Sequence, residues 1–200
     1  MGQAMRLTLL GTGCPQVDPA RMGPANLVRA AGRTLLFDCG SGVTQRLVQA
    51  DTKGAEVDAL FLTHLHSDHV VDFHQLLVSA WHQGRDKPWK VFGPPGTLGF
   101  VERSAALWKE ELDFRVAHEK RPNEAALDVK VTEYADGQAF RGGGVTVTAV
   151  KVNHDPFPEM RSLGGFLGQD VGPPPGGDRT MTLFAALDVS LKKTAVCVMD

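Results

Sequence analysis

Two hundred residues suit a single core, and a formal net charge of −2 gives no general attraction to nucleic acid. An apolar fraction of 42% beside 22% charged residues reads as ordinary globular material, and three cysteines are too few for a disulfide framework. No window approaches the ~20 apolar residues of a membrane span, and "MGQAMRLTLL" lacks the parts of a signal peptide, so a cytoplasmic setting with reduced cysteines is expected.

In chain order, "MRLTLLGTG" reads as a strand closing on a glycine turn. "ANLVRAAGRTLLFDCGSG" holds two more strands joined by a hairpin turn at "AAGR". Val43, Leu47 and Val48 recur at helical spacing, with Gly54 past the end as a stop. "VDALFLTH" is a short apolar run that suits a strand buried on both faces. Phe73, Leu76, Leu77, Ala80 and Trp81 predict an amphipathic helix with one packed face. "WKVFGPPG" is a strand running into a proline-glycine loop. Residues 97 to 118 predict a second long helix carrying Leu98, Val101, Ala105, Leu107, Leu112 and Val116. "LDVKVTEYADG" and "GGGVTVTAVKVNHD" alternate as strands, the latter at Val145, Val147, Val150 and Val152, and "VGPPPGGD" predicts an exposed loop. Strands interleaved with helices predict an α/β layered domain.

The segment "THLHSDH" follows the buried strand and packs three histidines and an aspartate into six positions. Residues two apart at a strand end face the same way, so His64 and His66 can face one ion. Asp68 and His69, in the turn that follows, can face a second. Imidazole nitrogen and carboxylate oxygen suit zinc, with bonds of about 2.0–2.2 Å. His74, His82 and His118, on or beside the helices, are read as non-ligands, and Cys14 as a small packing residue. "GTGCPQ" lacks the third glycine of a dinucleotide fingerprint, and no phosphate-loop GK[ST] occurs.

His-x-His-x-Asp-His after "ALFLT" resembles the motif of the metallo-β-lactamase superfamily, in the branch of ribonuclease Z and arylsulfatase-like hydrolases. "LTLLGTGCPQ", "LLFDCGSGVTQRL" and "GPPGT" resemble three further motifs of that branch, in the same order. The resemblance implies an α/β sandwich of the αββα type and two zinc ions that activate a water for hydrolysis. It places His64, His66 and His154 on the first zinc and Asp68 and His69 on the second. Asp68 is also the candidate general base, while Asp38 would buttress the metal loop from behind.

The resemblance also implies an aspartate bridging both metals and a last histidine for the second. None of the residues after His154 is histidine, and only Asp188, in "FAALDVS", approaches the aspartate's place, in a shifted register. The expectation is therefore a partial domain over residues 1–180 with its second half incomplete, holding one zinc rather than two. Residues 181–200, "MTLFAALDVSLKKTAVCVMD", resemble the opening strand-turn-strand of an insertion-sequence transposase of the RNase H-like class; an ordinary strand pair is the alternative. On this reading the chain is a zinc-dependent hydrolase impaired by loss of its C-terminal part, acting on a phosphodiester, sulfate ester or other small ester. The alternative is a non-catalytic remnant binding at most one zinc. Nucleic acid is disfavoured as a partner because no basic arm is visible, no membrane contact is expected, and a homodimer is compatible with the sequence.

Overall fold

The computed structural model describes residues 5–119, 124–134, 136–149 and 181–183. His154, Asp188, Val150, Val152, the "VGPPPGGD" loop and the tail from residue 184 onward lie outside the described residues.

Strands β1 (Arg6–Gly11), β2 (Ala25–Ala30), β3 (Arg33–Phe37), β4 (Ala59–Phe61), β5 (Trp89–Gly93) and β6 (Val129–Glu133) form one sheet in that order. The first three run antiparallel, and β3 to β6 are parallel. The β2–β3 hairpin turns at Ala31 and Gly32, both at positive φ (48° and 73°), which is the two-residue turn that matches strand twist. Strands β7 (Gly137–Gly142), β8 (Val145–Ala149) and β9 (Met181–Leu183) form a second sheet, with β9 parallel to β8.

Helices α1 (Val43–Gln49) and α3 (Phe73–His82) cover one face of the large sheet. Val43 and Leu47, with Phe73, Leu76, Leu77 and Ala80, close over Leu27, Leu36, Leu60 and Val91. The opposite face carries Val28, Leu35, Phe37, Phe61 and Phe92 against Val145 and Val147 of the second sheet. Phe37, Phe61 and Phe92 stack at 5.0 and 4.9 Å between centroids, and Phe140 meets Phe61 and Phe92 edge-on, so aromatic contacts join the two sheets. The α/β layered architecture expected from the sequence is therefore present, and the second sheet lies where a sandwich requires it. The strand opening the expected tail, Met181–Leu183, is the third strand of that sheet.

Three local expectations are corrected. The strand read over "VDALFLTH" is only Ala59–Phe61 long, because the Thr63 N–H turns from the ladder to the Asp38 carboxylate. Val48 is exposed; α1 buries Val43, Thr44 and Leu47 instead. The long helix α4 (Thr97–Glu119) forms, but it buries only Thr97 and Val101 of its 23 residues. Leu98 and Leu107 stand exposed, as does Ala105. Only the first turns of α4 reach the core, where Phe100 packs on Phe73. Farther along it lies against α3, through Trp108 stacked on His74 and Glu119 paired with His82, and so presents its outer face to solvent.

Candidate metal centre

Parallel pairing puts Phe37 opposite Phe61, so the loops leaving β3 and β4 emerge side by side at the carboxyl edge of the sheet, the usual place for a site in a parallel sheet. The first loop delivers Asp38 and the second Thr63, His64 and His66. A single short turn, α2 (Ser67–Val70), then presents Asp68 and His69. Asp68 and His69, expected in the turn leaving the strand, occupy this helical turn, whose His69 N–H bonds the His66 carbonyl at 3.0 Å.

Asp38 is wholly buried and sits at φ +60°, a left-handed backbone that aspartate tolerates better than most residues. Its backbone N–H is held by the Phe61 carbonyl at 2.8 Å. Its carboxylate accepts from the Thr63 N–H at 2.8 Å and from the Thr63 hydroxyl at 2.8 and 3.0 Å. The same carboxylate lies 2.8 Å from His69 Nδ1, and the Thr63 hydroxyl lies 3.0 Å from His64 Nδ1.

This chain of contacts fixes the tautomers by elimination. A carboxylate only accepts, so His69 Nδ1 must carry the proton it shares with Asp38. The Thr63 hydroxyl spends its single proton on Asp38, so it must accept from His64 Nδ1–H. In their neutral forms both rings then carry the lone pair on Nε2, the form in which imidazole binds a metal. The rings are close: His64 lies 4.0 Å from His69 and 4.5 Å from His66 between centroids, and His69 Nε2 is 3.7 Å from Asp68 Oδ2. His64 and His69 are buried, while Asp68 is only partly covered. Among the described residues no three such side chains already converge on one point. The donor set nevertheless fits a zinc-class ion, being neutral imidazoles oriented from behind, with carboxylate oxygen beside them.

Several contacts that the sequence did not announce hold this arrangement. The Cys39 N–H bonds the His69 carbonyl at 2.8 Å, and the Asp72 N–H bonds the Cys39 carbonyl at 3.1 Å. Asp72 in turn accepts from the Gly42 N–H at 2.6 Å. Gly40 passes so close to the Asp68 carbonyl and to Gly23 that a β-carbon there would collide with backbone. The Tyr134 hydroxyl donates to the Leu62 carbonyl at 3.0 Å; burial, and then the Asp38 charge, pushes it well above the ordinary phenol range. Burial likewise raises the Cys39 thiol, with Asp38 and Asp72 adding to the effect, so it is no ready nucleophile. Thr63 could have been found from its place between the buried run and the histidines. Tyr134 and Asp72 carry no sequence signal of their role.

The histidines read as non-ligands lie on the helices. His74 is stacked on Trp108 at 4.5 Å, His82 paired with Glu119 at 3.1 Å, and His118 bonded to the Phe114 carbonyl at 2.8 Å. Cys14 is half-buried, its thiol 3.8 Å from the Gln16 carbonyl. No described helix is long and apolar enough to cross a membrane.

Comparison with known proteins finds relatives in sequence and in fold. Ribonuclease Z of Mycobacterium marinum (strain ATCC BAA-535 / M) is 38% identical over 155 residues, 76% of this chain and 55% of its own length. Ribonuclease Z of Mycobacterium sp. (strain KMS) is 40% identical over 154 residues, 76% of this chain and 54% of its own. The chain thus spans about half the length of the curated relatives it matches. Among solved structures, the metallo-β-lactamase fold protein YhfI of Bacillus subtilis superposes with a TM-score of 0.56 at 20% identity, covering 76% of this chain and 54% of that one. Human tRNase Z, short form, gives 0.51 at 30% identity over 64% of this chain and 43% of its own. A family model described as anti-Pycsar protein Apyc1 matches residues 5–186. With that match over most of its length and the metallo-β-lactamase fold around its histidines, the chain belongs to the anti-Pycsar protein Apyc1 family.

Proposed function

We propose that the chain is a metal-dependent phosphodiester hydrolase of the ribonuclease Z-like kind, with zinc as the ion. The observation that carries this reading is the buried Asp38 carboxylate, which orients His69 directly and His64 through Thr63. Such a chain is costly to bury unless every member is satisfied, and it turns the Nδ1 atom of each ring toward its support. Zinc bound there would lower the pKa of a water and polarise the scissile group.

In this reading His64, His66 and His154 hold the first ion, Asp68 and His69 belong to the second, and Asp188 would take the place of the aspartate shared by both. Asp68, the more accessible carboxylate, accepts the proton of the attacking water. Asp38 stays behind the rings and keeps each in the ligating tautomer. The relatives' name favours a phosphodiester over the sulfate ester and simple ester that the sequence left open. It also brings RNA back as a candidate substrate, against the expectation from charge. Free thiols at Cys14 and Cys39 suit a reducing, cytoplasmic setting.

The test is zinc per chain by elemental analysis, beside turnover of bis(p-nitrophenyl) phosphate and p-nitrophenyl sulfate. The reading expects zinc that is lost in His64→Ala/His66→Ala and hydrolysis of the phosphodiester alone. Asp38→Ala should lose metal affinity by about 10–100-fold. One zinc without turnover would favour the non-catalytic alternative, and wild-type zinc content in the double variant would sink the site assignment.

A further inference from the structure

A second constellation lies at the opposite end of the large sheet. Arg6 pairs across the strands with Arg29, and Arg29 with Thr34 at the start of β3. The histidine loop meets β3 at its other end, beyond Phe37. Here β1, β2 and the last turn of α1 enclose a cavity of about 350 Å³ whose polar lining includes Arg6, Thr8, Arg29, Arg46, Gln49 and Asp51. Three arginines and one aspartate thus line it.

Two of the arginines are anchored. Arg29 donates to the carbonyls of Ala50 and Asp51 at 3.5 Å and to the Thr52 hydroxyl. Arg46 donates from Nε to the Leu10 carbonyl at 2.6 Å and from Nη1 to Gln49 at 2.7 Å. These partners fix the two heads and, being neutral, leave most of their charge uncompensated. Arg6 is exposed, and its side chain makes no hydrogen bond or ion pair among the described residues. It stands directly opposite Arg29, and like charges in that position destabilise a strand pair.

Packing does not require a cation at Arg6, whereas an anion between the guanidiniums would turn the repulsion into attraction. The guanidinium fork matches phosphoryl oxygens two at a time. The cavity is larger than a bare ion needs and falls at the small end of ligand cavities, about 300–1,000 Å³. Leu9, Leu10 and Ala50 add an apolar wall for an organic part. We propose that this cleft binds a small phosphate monoester of mononucleotide size, at a site separate from the histidines. The proposal does not depend on the metal reading.

Isothermal titration calorimetry with adenosine 5′-monophosphate, inorganic phosphate and sulfate at fixed ionic strength tests it, on the wild type, Arg6→Gln and Arg6→Glu. Any binding at the histidine loop is common to all three proteins, so the difference among them reports the cleft alone. The monophosphate should bind more tightly than inorganic phosphate, and Arg6→Gln should weaken it about ten- to hundredfold, the value of one or two charge-assisted hydrogen bonds. In phosphate-free buffer Arg6→Glu should melt higher than the wild type and lose the rise in melting temperature that the ligand gives. Equal affinity in the wild type and Arg6→Gln would overturn the proposal. So would sulfate competing as well as the monophosphate, or Arg6→Glu melting no higher than the wild type.

Discussion

Helices α3 and α4 both read as helices in the sequence and have opposite fates in the fold. The ten residues of α3 bury Phe73, Leu76, Leu77, Ala80 and Trp81, whereas α4, more than twice as long, buries only Thr97 and Val101. Core burial holds α3 in place. Its own surface holds α4: Lys109 pairs with Asp113 at 2.6 Å, and Arg115 pairs with Glu111 and Glu119, all at a spacing of four. Its start is fixed from outside, where the Glu133 carboxylate accepts the Gly96 and Leu98 N–H groups at 2.9 and 2.8 Å. A regular apolar stripe thus carries α3 into the core, whereas α4, whose apolar residues are scattered around it, is held by its ends and its ion pairs.

The comparison can be broken by mutation. Leu76→Ala, in the fully buried face of α3, should cost about 2–5 kcal/mol in chemical denaturation, and a loss below 1 kcal/mol would mean that the face is loosely packed. Trp108→Ala removes the stack on His74 and should cost about 0.5–1.5 kcal/mol, the value of an aromatic pair, while leaving α3 folded by circular dichroism.

A pH measurement sharpens the same contact. Burial, more than the nearby Arg115, lowers the His74 pKa, against a smaller opposing pull from Glu111. The unfolded chain therefore takes up this proton first, and the stability that neutral His74 contributes is lost as pH falls from about 6.5 towards its folded value. His74→Gln should flatten stability against pH in that window, and Trp108→Ala should move the His74 titration, followed by NMR, back up. The smallest effect belongs to Leu107→Ala on the outer face of α4. Leu107 is 76% exposed, so the change should stay within about 0.5 kcal/mol. A larger loss would show that something covers this face in solution.

At the candidate metal centre the same division recurs. His64, His66, Asp68 and His69 were legible because four ligand-type residues in six positions follow a buried run, and Asp38 was legible through the resemblance of "LLFDCGSG". The link that makes them one device was not legible. Thr63 connects Asp38 to His64, and Tyr134 and Asp72 brace the loop from distant elements, because their roles depend on which strands lie side by side.

The sequence by itself determined the order of strands and helices, the hairpin at Ala31–Gly32, the packed face of α3 and the clustering of the histidines. Each rests on local spacing or on turn chemistry that a short window contains. Tertiary structure alone decided where β4 stops, which face of α4 is left in water, which imidazole nitrogen faces outward, and that Arg6, Arg29 and Arg46 share one cavity. Those outcomes depend on partners far apart in the chain, brought together by the pairing of β1 with β2 and of β3 with β4.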